Sequence, residues 1–167
     1  MISAETVTQI WQRMAQTSLS DVPDLIARMK DRQPVVLAYL LAAEGLDFDR
    51  NELERILYIG MVVWQIMGQE QGRLLKVTRQ GIIQAEEANY DFLDRMEAAS
   101  EEEIAQLAEK MMQDYPEPHV LRYILEAITE EEEDADETPM RDDYKGLVFV
   151  YLKTVLDAFI AASRPGR

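Results

Sequence analysis

Two stretches of this chain leave its fold little freedom. In Ile56 to Met67 only Gln65 is strongly polar, and in Leu147 to Ile160 only Lys153, Thr154 and Asp157 interrupt the apolar residues. A helix that is apolar on every face must be buried on every face. The longest apolar run, Ile56 to Trp64 counting Gly60, is nine residues. A hydrocarbon core needs about 20. These segments therefore call for other helices of the same chain to surround them, with the two at the centre, against each other or against both units.

The rest of the sequence supplies such helices. Val7, Ile10, Trp11 and Met14 recur at i, i+3, i+4 and i+7, as do Val22, Leu25, Ile26 and Met29, and again Ile104, Leu107, Ala108 and Met111. Each set lines one helix face. Sustained period-two alternation is absent, so strands are not expected. Start and stop signals divide the chain into about eight helices. Ser18, with Asp21 three residues on, caps a helix over about 19–32; Pro34 opens one that Gly45 ends; Asp49 caps one over about 50–69. A looser stretch, Gly68 to Gly72, precedes a helix over about 79–99. Ser100 with Glu103 has the spacing of a capping box, Pro116 and Pro118 precede a helix over about 118–129, and the last runs over about 141–162. Trp11, Trp64 and the nine methionines read as core side chains, Met being a common filler of irregular gaps.

The order of these signals repeats. At an offset of 82, Arg13-Met14 falls on Arg95-Met96, Ser18 on Ser100, Asp21 on Glu103, Leu25 on Leu107 and Met29 on Met111. At 84, Pro34, Val36, Leu37, Tyr39, Leu41 and Ala43 fall on Pro118, Val120, Leu121, Tyr123, Leu125 and Ala127. At 91, Arg50 falls on Arg141, and Ile56 to Met61 lies over Leu147 to Leu152. Shared periodicity explains the apolar positions alone; the paired serines and prolines go beyond it. The expected fold is all-α, with two tandem four-helix units, 1–80 and 81–167, packed into one compact bundle or short α-α array without a β-sheet.

Charge separates the two units. The chain has a net charge of −15. Residues 1–82 carry 9 basic and 10 acidic side chains, and residues 83–167 carry 8 and 22. The excess gathers at Glu101-Glu102-Glu103 and between Glu130 and Glu137. Such a balance argues against nucleic acid, whose phosphates need clustered Lys and Arg, and against an anionic membrane surface. The first residues lack the basic start and apolar run of a signal peptide, and a cytoplasmic location is expected.

Reactive constellations are hard to find. Without cysteine there is no thiolate nucleophile, disulfide or Cys-ligated metal. His119 is the single histidine and opens a helix; Pro116, three residues before it, denies the Glu-x-x-His pattern of carboxylate-bridged metal sites. A calcium loop starting at Asp134 would place Pro139 where glycine is required and Lys145 where glutamate is required. The glycines form neither a dinucleotide nor a phosphate-loop pattern. No cofactor is expected.

Two polar side chains stand out on apolar faces. Asn89 falls on the stripe Ile82, Ala85, Phe92 and Met96, and Lys153 sits inside the last apolar helix with Asp157 one turn on. Buried polar groups need partners. A hydrogen bond from Asn89 to a neighbouring helix and a Lys153–Asp157 pair satisfy that need, and the same three residues are the candidate pocket. Arg13/Arg95 and Arg50/Arg141 recur in both units, as salt bridges or helix-end contacts would. The leading functional expectation is a non-catalytic scaffold that binds a protein partner with a basic patch. The acidic patch of Glu130, Glu131, Glu132, Glu133, Asp134, Asp136 and Glu137 is the candidate surface. The alternative is a ligand-binding or enzymatic bundle with its pocket near Asn89 and Lys153. Nothing in the sequence separates a monomer from a homodimer.

Overall fold

In the computed structural model, which describes residues 1–69, 72–130 and 140–163, helix starts follow local chemistry. The eight α-helices among those residues are α1 (Ala4–Ala15), α2 (Val22–Arg32), α3 (Pro34–Ala42), α4 (Arg50–Met67), α5 (Arg79–Glu97), α6 (Glu101–Asp114), α7 (Pro118–Thr129) and α8 (Asp142–Ala162). Ser3, Asp49, Thr78 and Ser100 cap α1, α4, α5 and α6 by accepting a backbone N–H three residues on. Each satisfies one of the donors a helix start leaves free. Proline stands at the start of α2, α3 and α7, where its missing N–H costs nothing. The described residues contain no strand; Leu74 and Ser163 form an isolated bridge. No described helix is long and apolar enough to cross a membrane.

Several expectations change in detail. Ser18 does not cap α2. Its hydroxyl donates to Asp21 Oδ2 at 2.9 Å, residues Leu19–Asp21 form a 3-10 turn, and α2 begins at Val22. The serine spends its hydrogen bond on a carboxylate, leaving no cap for the backbone. Trp11 is 39% exposed, although Val7, Ile10 and Met14 beside it are buried. The apolar stripe of α1 is therefore narrower than its sequence pattern. Trp64 is buried.

α4 and α8 pack directly on each other and carry the largest share of the core. Ile56, Val62, Val63 and Ile66 of α4 and Leu152, Val155, Leu156 and Phe159 of α8 are wholly inaccessible to solvent. Burying each such side chain is worth roughly 1.5–3 kcal/mol. One hydrophobic cluster runs through both halves of the chain.

The other packings come in matching sets. α1 lies on α4, α2 on α3 and α3 on α4; in the second half α5 lies on α8, α6 on α7 and α7 on α8. Two polar clasps stand beside the aligned prolines, one within residues 1–80 and one joining residue 117 to residue 2. Gln33, just before Pro34, donates to Leu75 O and accepts from Val77 N, both at 2.9 Å. Glu117, just before Pro118, accepts from Ile2 N at 2.8 Å. Each clasp reaches the backbone two residues ahead of a helix, Val77 before α5 and Ile2 before α1.

Gly60 allows a close approach in this centre. A Cβ there would sit 2.7 Å from both Leu40 methyl carbons. Overpacking a core costs about 1–3 kcal/mol, against about 1 kcal/mol of helix propensity gained by alanine. Gly60→Ala is expected to lower the unfolding midpoint, and the same change in a Leu40→Ala background is expected to raise it. Urea unfolding of the two pairs measures the coupling; equal effects in both backgrounds would show that Leu40 does not restrict this site.

Candidate functional site

Asn89, Lys153 and Asp157 come together. α5 and α8 pack along their lengths, and this pairing turns Asn89 inward to 2% exposure. Its amide nitrogen donates to Thr154 Oγ1 at 3.1 Å and to Asp157 Oδ2 at 2.9 Å. Its oxygen accepts from Lys153 Nζ at 2.9 Å. Lys153 also donates to Asp157 Oδ2 at 2.7 Å, one helical turn along α8. Thr154 donates in turn to Val150 O at 2.8 Å.

A fifth member arrives from the α6–α7 junction. The Tyr115 hydroxyl donates to Asp157 Oδ1, and Lys153 Nζ lies 5.3 Å from the Tyr115 ring centre. Burial raises the Tyr115 hydroxyl well above the usual tyrosine range, and the Asp157 charge raises it further. Tyr115 is therefore a protonated donor here and not a nucleophile. Among the described residues no buried side-chain nitrogen or oxygen lacks a hydrogen-bond partner. The polar groups that the sequence places on apolar faces thus satisfy one another. Lys153 and Asp157 keep 12% and 24% of their side-chain surface exposed, so the cluster is at the edge of the core.

Of the acidic patch, Glu130 is exposed at the end of α7. Glu131, Glu132, Glu133, Asp134, Asp136 and Glu137 lie outside the described residues. The other acidic run is defined. Glu101, Glu102 and Glu103 are exposed in the first turn of α6, where the helix dipole favours negative charge. Arg13 and Arg95 stand in the last turns of α1 and α5, the complementary position for a cation. His119 is half-buried in the first turn of α7. Groups of three or more residues suited to a metal are absent among the described residues.

A short ion pair among the described residues gives Arg141 a partner, Glu52, that the sequence pattern does not single out. Glu52 is fully buried and completes the α4 capping box, accepting from Asp49 N at 2.9 Å. It also receives the Arg141 guanidinium at 2.5 Å. Arg141 reaches on to Asp47 O at 2.9 Å and lies 3.7 Å over the Tyr144 ring. Burial resists the Glu52 charge, but hydrogen bonds from Arg141 and Asp49 outweigh it and hold the carboxyl below the usual glutamate range. Arg50, which the sequence offset places over Arg141, pairs instead with exposed Glu54 at 3.1 Å. Gln33 and Glu117 were equally hidden. A polar residue before each aligned proline is a weak signal until its partner strand of backbone is known.

No protein-family model, curated protein or solved structure matches this chain.

Proposed function

We propose that this chain is a non-catalytic interaction module, built from a duplicated four-helix unit, whose second half presents carboxylates to a partner with a basic patch. The observation that carries this reading is the state of α6. None of its residues is fully buried, it rests on α7, and Glu101, Glu102, Glu103, Glu109 and Asp114 face solvent. Among the described residues Glu101, Glu102 and Glu103 have no ion-pair partner, so their charge is available for complementary contact. Charge of this kind governs encounter rate and partner choice more than affinity. The Asn89 cluster supports the non-catalytic part, because its lysine, carboxylate and tyrosine are committed to one another. Matched helix packings and a clasp beside each of the two aligned prolines support duplication.

The test is recovery of partners from native cell extract on immobilised protein. Changing Glu101, Glu102 and Glu103 together to Gln is expected to reduce recovery of a basic partner by roughly an order of magnitude at low salt, and to flatten its salt dependence. Undiminished recovery, with unchanged salt dependence, would count against the acidic face.

A further inference from the structure

A different surface carries charge of the opposite sign. α1 packs on α4 and α7, and α2 packs on α3, which leaves a trough between α1 and α2. Trp64 and Gln65 of α4 form its floor. The trough encloses about 910 Å³, and Arg13 from α1, Arg32 from α2 and Lys76 from the segment before α5 stand on its walls. No carboxylate is among the described residues that line it. Among the described residues Arg13 and Lys76 have no ion-pair partner, and Arg32 has Asp31 beside it at 4.0 Å with both side chains mostly exposed. Among the described residues, three cations from three separate segments are thus gathered with Asp31 as the one carboxylate paired to them, in a chain of net charge −15.

We propose that this trough binds an acidic segment of a partner polypeptide. Guanidinium groups match carboxylates in a planar, two-bonded geometry. The exposed Leu75 side chain offers an apolar seat over buried Trp64 and Ile10, and Gln65 offers an amide able to pair with an extended backbone. Two open hollows of about 430 and 660 Å³ continue from the same floor at Gln65. The hollows bring in Asp21, Asp24 and Asp31 together with Arg28. Those carboxylates repel a uniform polyphosphate but accept a peptide whose acids cluster at one end. The distant negative charge of the second half is screened beyond about 8 Å at physiological salt.

The probe is a fluorescein-labelled peptide with its acids at one end, Glu-Glu-Glu-Leu-Leu-Ser, followed by anisotropy against the full chain in about 0.15 M salt. Saturable binding is expected, at least about tenfold tighter than that of the same peptide with Gln for Glu. Arg13→Gln and Lys76→Gln are each expected to weaken it about fivefold. Arg95→Gln, at the matching end of α5, is expected to leave it unchanged. Circular dichroism melting of each variant separates lost binding from lost folding. The proposal is overturned by absent or non-saturable binding, by equal binding of the Gln peptide, or by indifference to Arg13 and Lys76. Tighter binding of a short single-stranded oligonucleotide would assign the trough to polyphosphate instead. Concentration-dependent self-association that Arg13→Gln abolishes would assign it to a second copy of this chain. The acidic-face experiment above uses different residues, so either reading can fail alone.

Discussion

Asp157→Ala is expected to be among the most destabilising single substitutions in the second half, at about 3 kcal/mol. Asp157 accepts from Asn89, Lys153 and Tyr115 at once. Its removal leaves Tyr115 without an acceptor and a mostly buried ammonium with only the Asn89 oxygen. The melting temperature should fall by roughly 6–12 °C for a chain of this size. Tyr115→Phe deletes one hydrogen bond and should cost about 1 kcal/mol. The double change Lys153→Met with Asp157→Leu should cost less than Asp157→Ala, because no charge is left unpaired. Urea unfolding at neutral pH measures all three. A loss under 1 kcal/mol for Asp157→Ala would mean the cluster does not hold α5 to α8.

Glu52→Gln tests the other joint, where the start of α4 meets the start of α8. Glutamine can still accept from Asp49 N, so the capping box survives in part. The charged bond to Arg141 does not. A cost of about 2 kcal/mol at neutral pH is expected. Acid should remove the difference. The folded carboxyl lies below the ordinary glutamate value of 4.5. Its contribution is therefore fully present above pH 4.5 and is lost as pH falls from there through the depressed folded value. Wild type should lose stability faster than Glu52→Gln below pH 4.5. A gap that stays constant down to roughly pH 3 would show that the carboxylate charge is not what joins the helices.

Both joints separate what was legible from what was not. Asp49 with Glu52 carries the spacing of a capping box, so the start of α4 could be read locally. That the same Glu52 holds Arg141, 89 residues away, could not. Asn89 and Lys153 were visible as polar residues on apolar faces, because the helical period fixes which side chains share a face. Tyr115 was invisible as the fifth member of their cluster, since it lies outside both helices. Trp11 shows the opposite failure. Period placed it with Val7 and Ile10, but one position at the margin of a stripe can face either way, and packing turned it outward.

The sequence alone determined that this chain is helical, where most helices begin, and that the segments within α4 and α8 are central, because caps, prolines and apolar period act over a few residues. It also located the acidic half, since charge needs no fold to be counted. Only the tertiary structure decided what faces what. It closed Asn89, Lys153 and Asp157 into a satisfied cluster, joined Glu52 to Arg141, and opened an arginine-lined trough between α1 and α2. Those outcomes depend on contacts between residues far apart in the chain, and a local pattern holds no information on their distance.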